Sequence, residues 1–158
     1  MKMYLPFGDW SGDGHGQYTK VLIDAPSMEI IRLAQKHIED YYGKDIWDGF
    51  ARGYQEDTIS DTIQELLINT SYPIERLAKC QDDCRFDDFK DLNECFNSEF
   101  WDCSGHYITL ETCIDTFIWL LNAYGARIKR LDEADNIPTI SNWTCPGFKT
   151  VGYGCFDL

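Results

Sequence analysis

Residues 8–16 read Gly8-Asp9-Trp10-Ser11-Gly12-Asp13-Gly14-His15-Gly16. Two carboxylates, a hydroxyl and an imidazole fall among glycines, which tolerate positive φ and let a chain bend sharply. Asp9, Ser11 and Asp13, with Gly14 next, follow the alternating oxygen-ligand spacing at the start of a calcium loop. The match then stops. Lys20 stands where the bidentate Glu of an EF-hand is required, and the flanking runs carry a strand pattern, so the loop is not an EF-hand. Asp9, Asp13 and His15 also make a carboxylate–imidazole set of the kind that holds zinc, and Asp13 with His15 makes an acid–base pair. The plain structural alternative is a glycine-rich turn whose aspartates accept hydrogen bonds from backbone amides.

The seven cysteines supply a second set. Cys80 and Cys84 lie one helical turn apart, and Cys103 and His106 add a thiol and an imidazole at short spacing. Four such ligands suit tetrahedral zinc, although zinc knuckles favour a Cys-x2-Cys turn. Cys103 with His106 also has the composition of a nucleophile and its base, without a visible third residue to orient them. Cys95 and Cys113 fall in apolar helical patterns, where cysteine acts as a small hydrophobe. No phosphate loop, dinucleotide fingerprint, nucleophile elbow or His-Glu-x-x-His pattern occurs.

Charge is the third signal. The chain has 158 residues, with 27 acids against 14 bases and a net charge of −13. Two blocks, 39–65 and 81–102, each hold eight acids and two bases. Such a chain repels nucleic acid and anionic membranes and attracts basic surfaces. In the second block Asp82, Asp83, Asp87, Asp88, Asp91 and Glu94 would share one helical face. Phe100 and Trp101 follow as aromatic anchors. This arrangement suits a surface that imitates a nucleic-acid backbone; the ordinary alternative is an amphipathic helix with phenylalanines inward and carboxylates in water.

These groups need a scaffold. The 44% apolar and 15% aromatic content supports a packed core, and a chain this long buries roughly 70% of its unfolded surface. Met3–Phe7 and Gln17–Ala25 read as strands joined by the glycine-rich loop. Ser27 caps a helix that Gly43 stops, with Ile30, Leu33, Ala34, Ile38 and Tyr41 at helical spacing. A weaker helix is expected over Ile46–Tyr54, and others from Thr58 or Ser60, from Pro73, and through Phe86, Phe89, Leu92, Cys95 and Phe96. The segment from Thr109 to Tyr124 is apolar nearly all round and marks a central helix. Strands are expected at Ala126–Leu131, at Ile137–Trp143 and near Val151–Cys155.

The expected class is α+β: terminal strands in one small antiparallel sheet, packed against a central set of about five helices. One domain spans 1–158, with an acidic helical insertion over roughly 39–102. No leader or membrane-spanning pattern is visible, and the odd cysteine count argues against a disulfide framework, so a cytoplasmic protein is expected. The functional expectation is a non-catalytic inhibitor that docks on a basic, nucleic-acid-binding effector. Its size, acidity and aromatic content match the profile of anti-CRISPR and toxin-immunity proteins. Direct nucleic-acid or membrane binding is not expected. The alternative is a small hydrolase-like enzyme using a divalent cation, calcium or zinc, at Asp9, Ser11, Asp13 and His15.

Overall fold

The structure is a computed structural model that describes residues 1–9, 17–50, 59–80, 88–99, 101 and 110–131. Strand β1 (Lys2–Asp9) pairs antiparallel with β2 (Gln17–Asp24), in register from Lys2 opposite Asp24 to Asp9 opposite Gln17. Met3 faces Ile23 and Leu5 faces Val21 across the ladder. All four are buried, and Leu22, which alternation puts on the opposite face of β2, is buried too. A short β3 (Lys129–Arg130) adds to the far side of β2, giving the order β1-β2-β3. Pro6 thus sits on an edge strand, where a missing N–H is tolerated.

Helix α1 (Met28–Tyr42) starts where the Ser27 hydroxyl accepts from the Ile30 N–H at 3.2 Å. It buries Ile31, Ala34 and Ile38, and ends at Gly43, whose φ of +92° suits glycine. Over the described part of the helix expected at 46–54, a tighter 3-10 segment runs from Lys44 to Phe50, and residues 51–54 lie outside the described residues. The Trp47 indole N–H donates to Glu39 Oε1 at 2.7 Å, which folds the segment back onto α1. Trp47 is buried edge-on to Phe117, with ring centroids 5.2 Å apart.

Ser60 caps α2 (Asp61–Asn69) through the Ile63 N–H. Two hydrogen bonds close its far end, Tyr72 N–H to Leu67 O at 2.9 Å and Ser71 N–H to Ile68 O at 3.1 Å. This is a Schellman closure in which Ser71, at φ +59°, holds the position that normally favours glycine. Helix α3 (Ile74–Cys80) follows Pro73 directly, a residue whose fixed φ and missing N–H suit a helix start.

Helix α4 is shorter than the sequence pattern suggests and covers only Leu92–Phe96. Asp91 is extended (φ −156°, ψ 175°), and its carboxylate accepts from the Glu94 N–H at 2.9 Å. That cap interrupts the continuous acidic helix expected through Phe86 and Phe96. The inward half of the expectation holds for the described residues: Leu92, Cys95 and Phe96 are buried and Phe89 packs partly buried against the core.

Helix α5 (Leu110–Ala123) is the central helix and packs on α1, α2 and α3. Phe117, Leu120 and Leu121 are inaccessible to solvent, as are Thr112 and Thr116. The Thr116 hydroxyl donates to Thr112 O at 2.8 Å, so its polar atom is satisfied within the helix. Gly125, at φ +96°, ends α5 through a second Schellman closure, in which the Ala126 N–H donates to Leu121 O at 3.0 Å. The architecture is α+β, a small antiparallel sheet with five α-helices among the described residues. The strands expected at Ile137–Trp143 and Val151–Cys155 lie outside those residues.

Candidate functional site

The hairpin is paired out to Asp9 and Gln17, the positions that flank the glycine-rich loop. Ser11, Asp13 and His15 lie outside the described residues, as do Cys84, Cys103 and His106. Among the described residues no group of three His, Cys, Asp or Glu side chains is placed to hold a metal. Cys80 ends α3, half-buried. Burial, and then the carboxylates of Asp115 and Glu111, push its thiol up to about 11.

Of the acidic face, Asp82, Asp83, Asp87 and Phe100 lie outside the described residues. Asp88, Asp91 and Glu94 are exposed. Asp91 and Glu94 also close the start of α4 reciprocally, because Glu94 Oε2 accepts from the Lys90 N–H at 2.7 Å. Trp101 departs from its expected place as a surface anchor. It is buried at 5% exposure, packed 4.6 Å from the Phe96 ring, because the turn after α4 returns it to the core.

Elements that carry acids from the two blocks pack against one another. Helix α2 packs on the 3-10 segment, which carries Asp45, and on α4, which carries Glu94. Asp61 and Glu65 stand one turn apart on α2 itself, both exposed. Asp45, Asp61, Glu65, Asp88 and Glu99 enter no ion pair among the described residues. A pocket of about 340 Å³ lies where the α2–α3 turn meets the start of α4, lined in part by Ser71, Tyr72, Glu75, Lys90 and Asp91.

A second region gathers rings at the ends of α1 and α5. Tyr41 is 79% exposed and meets Tyr42 edge-on at 4.6 Å. His37 meets Tyr124 edge-on at 5.6 Å. Burial first, then the neighbouring Tyr124 hydroxyl and the nearby charge of Glu65, push the Tyr42 phenol up to about 12. The sequence pattern assigns Tyr41 and Leu33 to the apolar face of α1, but both are exposed.

Sequence reasoning missed a third cluster, between α3 and α5. The Arg76 guanidinium donates to both oxygens of Asp115, Nη2 to Oδ1 at 2.6 Å and Nε to Oδ2 at 3.1 Å. The Tyr72 hydroxyl donates to the same carboxylate at 2.5 Å. Arg76 also lies over two rings, 5.2 Å from Trp119 and 5.9 Å from Tyr72. The Trp119 indole N–H donates to Thr70 Oγ1 at 3.0 Å, tying the cluster to the end of α2. Burial, then the hydrogen bond to Asp115, raises the Tyr72 phenol above its ordinary range. One turn away on α5, Glu111 takes a bidentate pair from Arg130 of β3. The signal was present in Leu110–Ala123: an acid at 115 in the middle of a largely apolar helix is covered by the fold and calls for a cationic or donor partner.

No helix among the described residues is long and apolar enough to cross a membrane. No protein-family model matches this chain, and no similar curated protein or solved structure was found.

Proposed function

We propose that this chain is an acidic, non-catalytic protein-binding inhibitor that docks on a basic surface of a partner effector, of the anti-defence or toxin-immunity kind. The observation that supports this best is that α2, with Asp61 and Glu65 exposed, packs on the segments that carry Asp45 and Glu94, while Asp45, Asp61, Glu65, Asp88 and Glu99 are in no ion pair among the described residues. Like charges gathered without compensation repel one another and lower the stability of the fold. A basic partner relieves that repulsion on docking, and the same field steers its approach. The basic surfaces most complementary to rows of carboxylates are those that bind phosphates, which favours a nucleic-acid-binding effector as the target.

The test is capture with tagged protein from source lysate at low and high salt, followed by mass spectrometry. The expected result is one stoichiometric basic protein, released by salt, and not captured by a variant carrying Asp45→Lys, Asp61→Lys and Glu65→Lys. Equal capture by that folded variant would contradict the reading.

A further inference from the structure

The pocket of about 340 Å³ between the α2–α3 turn and the start of α4 lies at the small end of the range for ligand sites, so it suits a small molecule. Ile68, Ile74 and Leu92 supply its apolar lining, the last two buried. Ser71, Glu75, Lys90 and Asp91 supply polar lining.

The polar groups of the wall divide into engaged and free. The Asp91 carboxylate is engaged at the start of α4, accepting from the Glu94 N–H at 2.9 Å. Tyr72 also lines the pocket, but its hydroxyl is committed to Asp115. Lys90 is tied through its backbone N–H, which donates to Glu94 Oε2, while its ammonium is in no ion pair among the described residues. The Glu75 carboxylate is in none either, and both residues are exposed. Opposite charges on one pocket attract, and adjacent ones would pair. Glu75 and Lys90 form no pair with each other, so their charged ends stand apart on the wall.

Ser71 adds an independent observation. Its φ of +59° is a conformation that glycine adopts with less strain. Glycine there would bring no hydroxyl to the lining, and the Ser71 hydroxyl makes no hydrogen bond among the described residues.

We propose that this pocket binds a free α-amino acid with an apolar side chain. Its ammonium pairs with Glu75, its carboxylate with Lys90 and the Ser71 hydroxyl, and its side chain rests on Ile68, Ile74 and Leu92. A zwitterion bridges two separated opposite charges, which an internal peptide segment, with neither terminal charge, does not. Binding there does not depend on acidic docking.

The test is an NMR titration of the whole protein with L-leucine, leucinamide, N-acetyl-leucine and glycine. Leucine is expected to shift the amides of Ser71, Glu75, Lys90 and Asn93, with a dissociation constant of about 1 mM for so small a ligand. Leucinamide lacks the carboxylate, N-acetyl-leucine the ammonium and glycine the apolar side chain; each should bind about five- to ten-fold more weakly. Glu75→Gln should erase the preference for leucine over N-acetyl-leucine, and Lys90→Gln the preference over leucinamide. Ser71→Gly should weaken leucine binding without lowering the melting temperature. The two charge variants alter exposed residues and should melt like the parent, which thermal unfolding checks. Leucine bound no better than either derivative, affinity unchanged in both Glu75→Gln and Lys90→Gln, or no shifts at about twenty times the expected dissociation constant would each overturn the amino-acid site.

Discussion

The Arg76–Asp115 clamp and the corner at Tyr41, where α1 ends, place similar side chains in opposite settings. At the clamp, Asp115 is 15% exposed, and Tyr72 and Arg76 together engage both of its oxygens. At the corner, Asp40 is 63% exposed and Tyr41 79%. The first set is covered and internally satisfied, so it acts as a joint between α3 and α5. The second is in water with its ring uncovered, so its contribution to the fold is small. Aromatic and charged composition alone does not separate a structural joint from an exposed cluster; burial and completeness of pairing do.

Removing the carboxylate should separate the two most sharply. Asp115→Ala leaves a half-buried guanidinium and a buried phenol without their acceptor, and should cost about 2–4 kcal/mol in urea unfolding. Asp40→Ala should stay within about 0.5 kcal/mol. Equal costs would collapse the distinction.

Alkaline titration probes the tyrosines of both regions. Tyr72 and Tyr42 both have phenols raised in the folded protein. An acid raised on folding favours the native state while neutral, so its contribution is complete below about pH 10, the unfolded value. It is lost as pH climbs past that value, with Tyr42 reaching its folded value at about 12. Stability should therefore fall from pH 10 upward, and less steeply in Tyr72→Phe. That variant should also cost about 1 kcal/mol at neutral pH for the lost hydrogen bond to Asp115. An alkaline limb unchanged in Tyr72→Phe would show that this phenol does not feel the clamp.

The helix ends beside the two regions give the smaller effects. Ser71, before the clamp, holds a left-handed conformation without glycine's freedom, so Ser71→Gly should raise stability by up to about 1 kcal/mol. At the corner the same change in reverse should destabilise. Gly43→Ala places a Cβ at positive φ and 2.7 Å from Asp45 Oδ1, and should cost about 1–2 kcal/mol in thermal unfolding. A Ser71→Gly variant no more stable than the parent would mean that the clamp, and not the turn, fixes the end of α2.

Much of the scaffold was legible locally. Ser27 and Ser60 as caps, Gly43 and Gly125 as stops, the hairpin pairing and the all-round apolar α5 each follow from rules that act within a few residues. The break at Asp91 was not legible, because an aspartate on the solvent face of a periodic pattern is also a good N-cap and spacing cannot tell the two apart. Trp101 read as an anchor because aromatics beside carboxylates suit both interfaces and cores, and only tertiary packing buried it. The clamp joins residues 39 apart in sequence, which no local pattern reveals. The packing of α2 against the segments that carry Asp45 and Glu94 is likewise tertiary.

The most direct test of acidic docking is the association rate of the captured partner, measured by stopped flow across a salt series. Electrostatic steering predicts a rate that falls about ten-fold or more as salt rises, and a rate slowed about as much at low salt by Asp45→Lys, Asp61→Lys and Glu65→Lys together. A rate indifferent both to salt and to these charges would contradict the account.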